Sequence, residues 1–128
     1  MTTYHAAVWL DHNEARVFQV GAHDFEQTTI ASPKAHTMLH RRSGPGADSG
    51  HRATEDQRYY HEIADALTEA EAVLVLGPAT AKLELLRHLH RHDPRLEAKI
   101  VGVETVDHPS DRQLAKFVRA YFKAREKH

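Results

Sequence analysis

The apolar run at residues 72–76, Ala-Val-Leu-Val-Leu closed by Gly77-Pro78, is the strongest constraint on how this chain folds. A run with no polar position has no solvent side, so it reads as a strand covered on both faces and set toward the middle of a sheet. Residues 79–90 then bring Leu83, Leu86 and Leu89 or its neighbour Leu85 to helical spacing, and Asp93-Pro94 ends that helix. Residues 99–103 repeat the apolar-strand pattern. Strand, helix and strand in this order make a parallel crossover unit.

Upstream the pattern changes. Residues 6–11 and 14–20 are short runs rich in Val, Trp and Phe, and the His12-Asn13 pair between them suits a tight hairpin. Residues 25–31 alternate as a third strand, ended by Ser32-Pro33. Thr54 is the predicted N-cap of a first helix that carries Tyr59 or Tyr60, Ile63, Ala64 and Leu67 inward. Tyr59 and Tyr60 are adjacent, so one of the two is expected at the surface. At the other end Ser110 can cap a last helix whose apolar stripe is Leu114, Phe117, Val118, Tyr121 and Phe122.

The predicted order is three antiparallel strands, a long loop over residues 32–53, then α-β-α-β-α. That is a single α/β domain with a five-stranded mixed sheet and helices on both faces, an arrangement shared by ribonuclease-H-like domains. The length of 128 residues suits one domain across residues 1–128. The chain has no cysteine, which excludes disulfides, thiolate zinc sites and a cysteine nucleophile. The N-terminus lacks a basic start followed by an apolar run, and no apolar stretch exceeds strand length. A cytoplasmic protein without a membrane span is therefore expected.

The formal charge of −1 hides an uneven distribution. Lys34, Arg41, Arg42 and Arg52 face only Asp48, with His36, His40 and His51 able to add charge below neutrality. Arg112, Lys116, Arg119, Lys123, Arg125 and Lys127 face only Glu126, whereas Arg58 stands among Glu55, Asp56, Glu62, Asp65, Glu69 and Glu71. Segregation of this kind favours a polyanion on one side of the molecule. Within the loop, Gly44, Gly46 and Gly50 allow close backbone approach, while His40, Arg41, Arg42, His51 and Arg52 can contact phosphates.

The loop HRRSGPGADSGHR, the helix segment QRYYHEIADAL and the strand-turn-helix AVLVLGPATAKLELLRHL together resemble the middle domain of eukaryotic and archaeal class I peptide release factors and their Pelota relatives. Small stand-alone bacterial translational machinery proteins look similar. In release factors the loop bears Gly-Gly-Gln, which promotes hydrolysis of peptidyl-tRNA. Here the corresponding stretch runs Gly44-Pro45-Gly46-Ala47-Asp48-Ser49-Gly50, and the nearest glutamine, Gln57, falls in the predicted first helix. The resemblance therefore implies a non-catalytic, ribosome- or RNA-associated role without a cofactor. The RNA contacts would come from His40, Arg41, Arg42, Gly44, Gly46, Gly50, His51 and Arg52 in the loop. Arg112, Lys116, Arg119 and Lys123 would add a row on the last helix.

Other motifs have blander readings. Lys82 in GPATAK follows a buried strand, but Ala81 stands where a P-loop needs glycine, so Gly77-Pro78 reads as a structural turn. His88 and His92 share a helical face, yet a third metal ligand is not evident unless folding brings His61 or His108 near, and solvated or RNA-facing histidines are the expectation. Asp11, Glu62 or Asp65, and Asp107 could assemble the acids of a metal-dependent ribonuclease-H-like nuclease. A third reading is a homo-oligomeric module in which an acidic first helix meets a neighbour's basic last helix. Trp9, Tyr121 and Phe122 are expected in the core.

Overall fold

Asp11 sets the first turn. Its Oδ1 accepts from the backbone N–H groups of Asn13 at 2.8 Å and Glu14 at 2.9 Å, an Asx turn that reverses the chain. The computed structural model describes residues 4–21, 23–32 and 49–126. The turn joins β1 (His5–Leu10) to β2 (Glu14–Val20), and β3 (Phe25–Ala31) pairs with β2, both pairs antiparallel. β4 (Ala72–Gly77) pairs parallel with β1, and β5 (Ile100–Thr105) parallel with β4. The sheet order is β3-β2-β1-β4-β5, the mixed five-stranded α/β arrangement that the apolar pattern predicts.

Alternation along the strands divides the core. Ala6, Val8, Leu10, Val17, Val73 and Val75 face α1 (Ser49–Leu67) and α2 (Ala81–His92). Ala7, Trp9, Phe18, Leu74 and Leu76 face α4 (Asp111–Glu126) on the other side. Every residue of β4 is buried, as a strand covered on both faces requires. A side chain the size of Leu74 or Phe18 taken out of water contributes about 1.5–3 kcal/mol, so both layers are needed to hold the sheet.

Local chemistry fixes the helix ends. Ser110 Oγ accepts from the Gln113 N–H at 3.1 Å and Gln113 Oε1 accepts from the Ser110 N–H at 2.9 Å, a reciprocal capping box that starts α4. Arg16 anchors the same end. Its guanidinium lies 4.5 Å from the Trp9 ring centroid and donates to the Pro109 carbonyl at 2.9 Å and to Asp111 at 3.1 Å. Trp9 Nε1 donates to the Asp107 carbonyl at 2.8 Å, which holds the segment between β5 and α4 against the core.

Several expectations are corrected. The first helix begins at Ser49, ahead of the predicted cap at Thr54, so Gly50, His51 and Arg52 belong to helical backbone. A short helix, α3 (Pro94–Glu97), follows α2 because Asp93 caps it and Pro94 suits a first helical position. Tyr59 and Tyr60 are both buried, their rings 5.3 Å apart, because the hairpin turn and α2 close over α1 from two sides. Leu83 and Phe117 are 45% and 40% exposed, so the apolar stripes of α2 and α4 are narrower than their spacing suggests.

Candidate nucleic-acid interface

The carboxyl ends of β1, β4 and β5 meet at one edge of the sheet, the edge where open α/β sheets characteristically bind ligands. β3 also ends there, since the Ser32 N–H donates to the Asn13 carbonyl at 2.8 Å. Tyr59 reaches the same edge from α1, its hydroxyl donating to the Asp11 carbonyl at 2.9 Å. About ten residues of α1, roughly 15 Å of helix, precede that contact. Of the predicted loop residues, His40, Arg41, Arg42, Gly44 and Gly46 lie outside the described residues.

The other half of the predicted interface is on α4. Arg112, Lys116, Arg119 and Lys123 are all exposed, on the side away from buried Leu114, Val118 and Phe122. Spacings of four, three and four residues keep them on one helical face, a row about 16 Å long. The Arg119 guanidinium lies 4.2 Å from the Phe25 ring centroid. This contact carries the row toward the β2–β3 turn, where Gly21, His23, Asp24 and Lys123 line a shallow cleft. Among the described residues none of the four cations makes an ion pair.

The acids of the nuclease reading converge only in part, around His108. Asp11 serves the hairpin turn and lies 3.4 Å from His108 Nε2, while Asp107 lies 3.0 Å from His108 Nδ1. Asp65 pairs with His61 on the exposed side of α1, and Glu62 is exposed. Among the described residues no group of three or more histidines and carboxylates is arranged to hold a metal ion. Lys82 is buried and donates to the Ala79 carbonyl at 2.6 Å. Gly77 is required by packing, because a Cβ there would collide with the Leu10 carbonyl oxygen.

The histidines of α2 differ from expectation. His88 is buried rather than solvated, with Nδ1 2.9 Å from Gln57 Oε1, and its ring is 4.7 Å from that of exposed His92. Burial, reinforced by His92 and His61, holds His88 below its ordinary pKa. Glu84 links three elements: its Oε1 accepts from Tyr60 Oη at 3.0 Å and its Oε2 lies 3.0 Å from His12 Nε2. Sequence reasoning singled out neither Glu84 nor Arg87 and Arg91 beside it, because nothing in their spacing distinguishes them from a solvated helix face.

No family model and no curated protein matches the chain. Solved structures do. Pelota from Archaeoglobus fulgidus matches with a TM-score of 0.61 at 14% identity, over 91% of this chain and 31% of that one. The fold is shared with Pelota. Pelota from Thermoplasma acidophilum gives 0.60 at 18% identity, over 92% and 32%. The archaeal translation termination factor aRF1 gives 0.56 at 14% identity, over 84% and 31%. The chain thus spans about a third of the length of the proteins it matches, and at these identities the likeness is one of fold. No helix among the described residues is long and apolar enough to cross a membrane.

Proposed function

We propose that this domain is a non-catalytic RNA-contacting module that works on the ribosome or another structured RNA. The observation that carries this reading is the α4 row of Arg112, Lys116, Arg119 and Lys123, exposed and without ion pairs among the described residues. Cations left unpaired along one face suit a phosphate backbone, which rewards several contacts at once. The fold shared with Pelota and aRF1 supports a translation setting. His40, Arg41, Arg42, Gly44, Gly46, Gly50, His51 and Arg52 would extend the contact.

Peptide release is not part of the proposal. The stretch at residues 44–50 has no Gly-Gly-Gln, and Gln57 is engaged with His88 in the body of the domain. Co-sedimentation with ribosomes tests the reading, comparing the natural chain with Arg41→Glu/Arg42→Glu and with Lys116→Glu/Lys123→Glu. Affinity should fall steeply between about 0.05 M and about 0.3 M salt and should drop in both variants. Equal affinity at the two salt concentrations would show that phosphate contacts do not drive binding.

A further inference from the structure

Helix α2 carries Arg87 and Arg91 four residues apart and His88 and His92 four residues apart, so both pairs stack on successive turns. These four residues line a cleft of about 270 Å³ whose other wall includes Gln57 and Tyr60 of α1. Glu84 is the carboxylate of this lining, and it is already engaged by Tyr60 and His12. Arg87 and Arg91 are exposed and make no ion pair among the described residues. Through the Glu84–His12 contact the cleft adjoins the carboxyl edge of the parallel strands.

Gln57 defines the chemistry of His88. A glutamine oxygen only accepts hydrogen bonds, so His88 Nδ1 carries the proton shared with it and Nε2 is the nitrogen that gains or loses one. His92 lies close enough to disfavour the charged form of His88 unless an anion is present. We infer that the α1–α2 cleft is an anion site distinct from the α4 row, taking the phosphate group of a nucleotide or of RNA on Arg87, Arg91, His88 and His92. Two guanidinium forks and two imidazole donors offer more positive charge than a carboxylate would neutralise. They suit a phosphate with several acceptor oxygens.

The cleft should strengthen in mild acid. Arg58, His61, Asp65 and Asp93 line the adjoining space around His88. His61 is paired with Asp65 at 3.5 Å, and Asp93 favours the charged His88 ring while burial, His92 and His61 oppose it. An anion bound between the rings reverses the latter balance, so binding takes up protons.

Calorimetric titration of the full chain with sulfate tests the inference, since sulfate remains a dianion where a phosphate ester changes charge near about pH 6. Saturable binding is expected at about pH 5.5, weaker by about tenfold or more at about pH 8. Arg87→Gln/Arg91→Gln, at exposed positions, should weaken it by about tenfold or more, and His92→Asn should flatten the pH dependence. Thermal melts establish that each variant is folded.

No saturable binding at the acidic pH overturns the inference. So does sulfate binding that follows Lys116→Gln/Lys123→Gln instead of the arginine pair, because it puts the anion on α4. A 5′-mononucleotide that displaces sulfate while an RNA oligonucleotide without terminal phosphate does not identifies a free phosphate ester as the ligand. Displacement by the oligonucleotide identifies the RNA backbone, and either result supports the cleft. The sulfate result stands apart from ribosome binding, so each can fail without the other.

Discussion

The Tyr59 hydroxyl donates to the carbonyl oxygen of Asp11 at 2.9 Å, tying the middle of α1 to the end of β1 across 48 residues of chain. Burial is the main reason the phenol is held far above its ordinary pKa, with the nearby Asp11 carboxylate adding to it. Tyr59→Phe keeps the ring and leaves the Asp11 carbonyl without this partner. A loss of about 1–3 kcal/mol is expected in urea denaturation, and a change below a few tenths would mean that water replaces the hydroxyl.

Gly77 and Gly102 provide a paired test of backbone against side-chain crowding. At Gly77 a methyl group would meet the Leu10 carbonyl oxygen, which is fixed in the sheet. At Gly102 it would meet the Tyr121 hydroxyl, the far end of a side chain that can turn aside by giving up its 3.4 Å hydrogen bond to the Val101 carbonyl. Gly77→Ala should cost about 1–3 kcal/mol, and Gly102→Ala clearly less. Equal midpoint shifts in the two variants would contradict the close approach of β4 to β1.

His108 lies between Asp107 and Asp11, and the hydrogen bond with Asp107, helped by Asp11 and opposed by burial, raises its pKa above 6.5. A raised folded-state value means that the stabilising charge pairing is complete below 6.5 and is lost as pH rises through the folded value. The natural chain should therefore lose stability relative to His108→Asn between about pH 6 and about pH 8. His108 also touches the edge of Trp9, at 5.2 Å between centroids, but that contact shifts both ends of the comparison alike. A melting-temperature difference that stays constant across the window would count against the pairing.

Lys116 and Lys123 project from the same side of α4 as Arg112 and Arg119. If each meets one phosphate, Lys116→Gln/Lys123→Gln should lower the slope of log affinity against log salt by about one for each lysine. Binding should weaken by similar factors for RNAs of different sequence, since backbone contacts carry no base information. A slope unchanged in the double variant would move the contact elsewhere on the molecule.

Much of the fold is legible in the chain because its signals are local. The apolar run at β4 has no polar face to expose, Ser110 and Gln113 stand three residues apart for a reciprocal cap, and Asp11 needs only its next neighbours to form a turn. The α4 cations are legible for the same reason, since a helix repeats every 3.6 residues. The cleft between α1 and α2 is not. Gln57 and His88 are 31 residues apart, and their spacing holds no sign that one fixes the proton of the other.

The sequence by itself determined the order of the five strands and the three long helices, the buried character of β4 and the cationic row of α4. Only the tertiary structure decided that Tyr59 and Tyr60 are both enclosed, that Gly77 must be glycine, and that Arg87, His88, Arg91 and His92 share a cleft with Gln57. The physical reason is range. Periodicity and capping act over one or two turns of chain, whereas burial and hydrogen bonding between α1, α2 and the first hairpin depend on how the layers close over one another.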